Sequence, residues 1–287
     1  MAAMIDVRPS PIAGQWYPAD PKRLASSVDA YMDDAQMPAI QGEVVAVVSP
    51  HAGHRYSGPV AGYAFAALRG LHPELVAVIS PMHFLADPVL LTTAHEAYET
   101  PLGNVPVDRD LLHRLEETLL GEAGLSITPV RHDPEHSLEI ELPFLQRALG
   151  GQFRLLPVMV RDPSPRVARG LGQALAKVLA GRNSLLVASS DLSHFYPQTI
   201  AHALDAEMLH RVETFDPESV LHAEEEGKGF ACGRGALAAV LWAARALGAN
   251  HVQILHYATS GDVTGDYSQV VGYGAAVVTR LSPPGDG

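Results

Sequence analysis

Six short runs rich in Val, Leu, Ile and Ala alternate along this chain with six longer stretches of helical period, and no other feature constrains the fold as tightly. The short runs are Val44–Ser49, Leu75–Ser80, Phe153–Val160, Ser184–Ser190, Val252–Ala258 and Gly272–Thr279. Between them lie Pro59–Arg69, Arg109–Leu120, Ser137–Leu149, Pro165–Leu179, Thr199–Phe215 and Gly235–Leu247, each with Ala and Leu at helical spacing. A strand buried on both faces reads as an unbroken apolar run, so the pattern predicts an α/β fold with a central, mostly parallel or mixed sheet flanked by helices. Leu90–Asp108, broken by Pro101, Gly103 and Pro106, reads instead as a hairpin on one edge. No Ser/Gly-rich or Pro-rich linker interrupts the apolar runs, which predicts a single domain over residues 1–281. The Pro/Gly-rich stretch 282–287 reads as a flexible C-terminal tail.

Charge and cysteine content narrow the setting. The formal net charge of −12, with no cluster of Lys or Arg, argues against nucleic acid as a partner, because the surface would repel a phosphate backbone. The single cysteine, Cys232, leaves no intrachain disulfide and suits a reducing cytosol. Met1 to Ser10 lacks an apolar core of signal-peptide length, and Val44 to Val48 is too short to cross a bilayer. A cytoplasmic protein with no membrane partner is expected.

Three of the strand runs end alike. Val44–Ser49 leads into Pro50-His51-Ala52-Gly53-His54, Leu75–Ser80 into Pro81-Met82-His83, and Leu185–Ser190 into Asp191-Leu192-Ser193-His194. Side chains at the carboxyl ends of strands in an open α/β sheet project into the crevice where ligands bind, so three imidazoles and a carboxylate would share one rim if these strands are neighbours. Cys232 stands just ahead of an Ala-rich helix, where unpaired N–H groups and Arg234 would favour the thiolate as a metal ligand or nucleophile; a buried, inert cysteine is the other reading. The run His132-Asp133-Pro134-Glu135-His136-Ser137-Leu138-Glu139 opens a helix, with Ser137 or Asp133 as cap and Glu135 and Glu139 on a solvated acidic face; His136 turned into the crevice is the alternative. His95, His113, His202, His210 and His222 lack partners at ligand spacing and are expected on the surface.

These motifs resemble a known family. Ala13-Gly14-Gln15-Trp16-Tyr17-Pro18, Pro50-His51-Ala52-Gly53, Ser80-Pro81-Met82-His83, Glu135-His136-Ser137-Leu138-Glu139, Ser189-Ser190-Asp191-Leu192-Ser193-His194 and Cys232-Gly233-Arg234 resemble, in order, the signature stretches of the Memo family, from about Arg8 to about Thr279. Bacterial members are called protein B of the AmmeMemoRadiSam system, and the family is similar in fold to the class III extradiol ring-cleavage dioxygenases. The resemblance implies a metal pocket formed by His51, His83 and Cys232, with Asp191, His194 and His136 as catalytic groups beside it. The dioxygenases hold iron with two histidines and a glutamate, whereas the matching third position here is Cys232.

Two imidazoles and a thiolate leave at least one coordination position open, which points to chemistry or reversible binding. The expected cofactor is a divalent metal ion, Fe(II) first, with copper or zinc as alternatives. The expected function is an oxidoreductase or dioxygenase-like activity on a small molecule, with His194 shuttling a proton and Asp191 orienting it or a ligand histidine. Two alternatives stand beside it. One is an adaptor for a phosphorylated peptide or protein partner, with Arg55, Arg234 and His54 as its anion pocket. The other is a zinc hydrolase using the same ligands.

Overall fold

In the computed structural model, which describes residues 6–282, the apolar runs become the strands of a nine-stranded mixed sheet. Along the sheet the order is His194–Tyr196, Val270–Arg280, Glu43–Ser49, Ser184–Ser189, Leu75–Pro81, Arg154–Val160, Leu90–Thr93 and Ile127–Val130, with His251–Thr259 also paired to Val270–Arg280. The four strands from Glu43–Ser49 to Arg154–Val160 run parallel. They are almost wholly buried, which is why their sequences do not alternate. Val270–Arg280 joins them antiparallel, pairing Ala276 with Val48.

Helices flank this sheet in two packed groups. Arg234–Ala246 lies over the central strands and packs on Pro165–Leu179, which in turn meets Arg109–Ala123. His54–Ala66 packs on Glu43–Ser49 and Val270–Arg280, and is covered by Pro21–Asp34 and Leu142–Ala148. A β-carbon on Gly62 would collide with the Tyr31 carbonyl, so glycine there permits the close approach of the two helices. Pro21–Asp34, absent from the periodicity reading, carries its own start signal: Pro21 at the first helical position and the Asp20 carboxylate accepting from the Arg23 N–H at 2.8 Å. The result is one mixed α/β domain. The tail expected at 282–287 lies outside the described residues beyond Ser282.

Two expectations need correction. The stretch Leu90–Asp108 is not one edge hairpin: Leu90–Thr93 enters the main sheet between Arg154–Val160 and Ile127–Val130. Ala97–Tyr98 and Val105–Pro106 form a separate three-stranded sheet with Val7–Arg8. His95, just ahead of Ala97–Tyr98, is 1% exposed instead of lying on the surface, with Nδ1 2.8 Å from an Asp6 carboxylate oxygen and its ring 5.3 Å from that of His132. Among the described residues, no helix is long and apolar enough to cross a membrane.

Candidate metal centre

The strands that end in Ser49, Ser189 and Pro81 are direct neighbours, with Ser49 in register with Ser189 and Ile79 with Ala188. Their carboxyl ends therefore open onto one rim, which receives His51, Asp191 and His83. A fourth segment, Asp133 to Ser137, closes over that rim and adds His136. The three imidazoles of His51, His83 and His136 each offer a ligand atom, and those atoms lie within 4.8 Å of one another. The rings of His83 and His136 stack at 4.9 Å and 9°, while His51 meets both edge-on, at 5.1 Å from His83 and 5.6 Å from His136. Cys232 approaches from the start of the Arg234–Ala246 helix, its Sγ 3.1 Å from His51 Nε2.

The hydrogen bonds behind these rings decide which nitrogens face the pocket. The Ser189 hydroxyl donates to the Ser137 carbonyl at 2.6 Å, so its oxygen is free to accept from His51 Nδ1 at 2.8 Å. His51 thus carries its proton on Nδ1 and turns a bare Nε2 toward Cys232. Burial, the dominant effect, together with the neighbouring His83 and His136 pushes its pKa down to about 3 against the pull of Asp191, so the ring is neutral at physiological pH. The Glu135 carboxylate does the same for His83, accepting from Nδ1 at 3.0 Å and from the backbone N–H at 2.6 Å. It also accepts from the backbone N–H groups of His136 and Ser137, both at 2.9 Å. Burial would raise the pKa of Glu135, but the hydrogen bond from His83 and the Ser137 N–H outweigh it and hold the group well below the usual carboxylate range. A carboxylate behind a histidine is the arrangement that orients metal ligands and raises their basicity.

Asp191 sits beneath the cluster, 5% exposed, and accepts the His51 backbone N–H at 2.7 Å. Burial opposes its charge, but His51 and His194 outweigh that cost and keep its pKa lowered. The Asp191 carbonyl accepts the Cys232 N–H at 3.2 Å, and the Gly233 N–H donates to Ser190 Oγ at 2.9 Å. A β-carbon on Gly233 would collide with the Ser189 carbonyl and Ser190, so only glycine lets this loop lie flat against the strand end. His194 lies at the outer rim, half-buried, its ring edge-on to Phe230 at 5.5 Å.

Several sequence expectations change here. Glu135 and Glu139 do not form a solvated acidic face: they are 1% and 0% exposed. Glu139 accepts from Arg8, Ser10 and Tyr17, and Asp133 takes a fork of hydrogen bonds from Arg8. The Cys232 thiol is pushed up, not down, by its burial and by the Asp191 carboxylate, and Arg234, expected to favour the thiolate, is paired with Glu224. The expected anion pocket of Arg55, Arg234 and His54 is not assembled. His54 is buried against the Ile140 carbonyl and, with Arg55, borders a groove beside Trp16 and Tyr31, while Arg234 lines a different cavity. The sequence reading assigned no role to Trp16, whose ring covers His136 at 4.0 Å, or to Ser189, Arg8 and the buried Glu141.

The donor set suits a metal ion: a neutral imidazole with its lone pair exposed, two further imidazoles backed by a carboxylate, and a sulfur within reach of the first ring.

Comparison with known proteins places this geometry in a family. The family model described as Memo-like protein matches residues 8–277. A MEMO1 family protein of Nitrosopumilus maritimus is 36% identical over 273 residues, covering 94% of this chain and 98% of its own length. A MEMO1 family protein of Methanopyrus kandleri is 35% identical over 280 residues, with 94% and 98% covered. Among solved structures, an uncharacterized protein of Escherichia coli K12 aligns at 15% identity and a TM-score of 0.49, over 82% of this chain and 100% of its own. The match spans the segments that carry His51, His83, His136, Asp191, His194 and Cys232, and the chain belongs to the Memo family.

Proposed function

We propose that this protein is a metal-dependent oxidoreductase acting on a small molecule, with a divalent ion, Fe(II) first among the candidates, held by His51 and His83 and completed by Cys232 and His136. The observation that carries the reading is the convergence of three imidazole ligand atoms within 4.8 Å, with the Cys232 sulfur 3.1 Å from His51 Nε2. When bound, such an ion supplies open positions for a small molecule and one-electron chemistry. The chain's own groups do the rest. Ser189 and Glu135 hold the His51 and His83 rings so that Nε2 faces the pocket. Asp191 fixes the His51 backbone, and its carboxylate lies beside His194. His194, at the rim, takes up or returns the proton. Trp16 over His136 shields that side of the pocket from water.

Elemental analysis of protein purified without added metal or chelator is the test. The reading expects a redox-active metal at near-stoichiometric level, lost in His51→Ala and Cys232→Ser, and oxygen uptake that disappears with it. Stoichiometric metal unchanged in both variants would refute it. Zinc without any response to oxygen would transfer the site to the hydrolase reading, and phosphopeptide affinity that survives Cys232→Ser to the adaptor reading.

A further inference from the structure

Beside the His51–His83 cluster lies a cavity of about 310 Å3, walled by Pro81, Met82, Val160 and Pro163 and by the start of the Arg234–Ala246 helix. His83 and Cys232 stand at its edge, so it is contiguous with the candidate metal centre. Its lining differs from those of four other cavities, each of which includes an aspartate or glutamate. In a chain of net charge −12, its lining includes two arginines, Arg161 and Arg234, and no aspartate or glutamate.

Arg161 is the informative residue. Its backbone N–H is bound to the Val89 carbonyl at 2.9 Å, directly after the strand Arg154–Val160, so its position is set by the sheet. Its guanidinium has no ion-pair or hydrogen-bond partner among the described residues, and its Nε is buried without an acceptor. A buried donor left unpaired destabilises the fold, and a ligand bearing the missing acceptor removes that cost. Arg234 is only partly used: one guanidinium nitrogen, Nη1, meets Glu224, and the others have no partner among the described residues. The helix it opens begins without a side-chain cap, and Gly235 and Ala236 of its first turn line the same cavity. All of these groups donate hydrogen bonds and none accepts. What satisfies a guanidinium fork and neutralises it is a compact oxyanion.

We propose that this cavity is the subsite for the anionic group, carboxylate or phosphate, of the small molecule that the centre acts on, with Arg161 as its principal binding residue. That the small molecule is acted on at the centre rests on the function proposed above; anion binding in the cavity does not.

Calorimetric titration of the full-length chain, as purified and after chelation, tests the subsite with three probes: inorganic phosphate, benzoate, and benzamide as the neutral isostere of benzoate. The expected result is binding of at least one anion in both preparations, with benzamide at least about tenfold weaker than benzoate if benzoate is the anion that binds. Arg161→Gln weakens the anion about tenfold to a hundredfold, the loss expected for one charged hydrogen-bond partner. Glu224→Gln, which frees Arg234, tightens it. Tighter phosphate points to a phosphorylated ligand and tighter benzoate to a carboxylic acid. The proposal is overturned if neither anion binds at millimolar concentration, if benzamide matches benzoate while phosphate does not bind, if binding requires the metal, or if folded Arg161→Gln binds as wild type. Metal content of the protein as purified separates the two readings: anion binding by a chain purified without any metal sinks the oxidoreductase and leaves the subsite, and a metal that stays bound in Arg161→Gln with anion affinity unchanged does the reverse.

Discussion

Replacing Arg8 removes the tie between the first described strand and the segment that carries Glu135 and His136, and the size of the effect follows from what it leaves behind. Arg8 is 1% exposed and makes five hydrogen bonds: two to the Asp133 carboxylate, one to Glu139 at 2.5 Å, and one each to the carbonyls of Asp133 and Glu135. Burial works against its charge, but the Asp133 and Glu139 carboxylates more than compensate and keep it protonated. Arg8→Ala strands both carboxylates inside the protein, at 3% and 0% side-chain exposure, and breaking a buried pair in this way costs about 3–5 kcal/mol. With an unfolding entropy of about 2.1 cal/mol/K per residue, a chain of 287 residues has about 0.6 kcal/mol/K at its midpoint, so the loss lowers Tm by roughly 5–8 °C. The Glu135 carbonyl is freed at the same time, and with it the carboxylate behind His83 and His136. Circular dichroism at pH 7 reads the first effect, and metal content of the purified variant the second. Arg8→Lys, which keeps the charge without the planar fork, should fall between. A fall in Tm below about 2 °C for Arg8→Ala, with metal content unchanged, would refute the argument that this ion pair network supports the centre.

Two further outcomes are expected. Glu141 is fully buried, its Oε1 has no hydrogen-bond partner, and burial pushes its pKa up to about 8 from an ordinary 4.5 despite Ser189 and Ser49. The folded chain then keeps a proton that the unfolded chain releases, so stability falls as pH rises from 4.5 to 8, by at most about 5 kcal/mol. Denaturant midpoints of Glu141→Gln relative to wild type should improve across that window, and a pH-independent difference would contradict it. Ser189→Ala removes the acceptor for His51 Nδ1 and should cost about tenfold to a hundredfold in metal affinity by competition with a chelator, with little change in Tm; unchanged affinity would show that the ring orientation does not depend on Ser189.

How much of this was legible in the sequence differs from element to element. The strands that end at His51, Asp191 and His83 announce themselves as apolar runs closed by polar residues, because a parallel strand must be apolar on both faces. That Ser184–Ser189 inserts between the other two is a matter of pairing across more than a hundred residues, and no local pattern encodes it. Ile127–Val130 escaped detection because Pro129 weakens its strand signal, and its place at the sheet edge is what tolerates a proline. Glu135, Glu139 and Asp133 read as a solvated helix start, since acidic residues at that spacing usually are. Their burial depends on Arg8, some 125 residues earlier, and on Tyr17, and no spacing rule joins such partners. Arg161 is similar: its isolation is a property of its surroundings, visible only when the cavity wall is complete.

The strand Val270–Arg280 follows His51, His83, His136 and Cys232 in the sequence yet lies inside the sheet, and this bears on how the protein is made. Its Gly272 exchanges hydrogen bonds with Leu192 and Ser193, pinning the turn between Asp191 and His194, while its later residues pair with the strand that leads to His51. All four donors leave the ribosome before this strand does. A nascent chain therefore displays three imidazoles and a thiol with nothing to hold them at their final spacing, and any ion captured then is chosen by ligand softness and abundance alone. Selection by shape begins only once Val270–Arg280 has been made and paired, so any ion the proposed centre takes up is sorted by geometry only from then on.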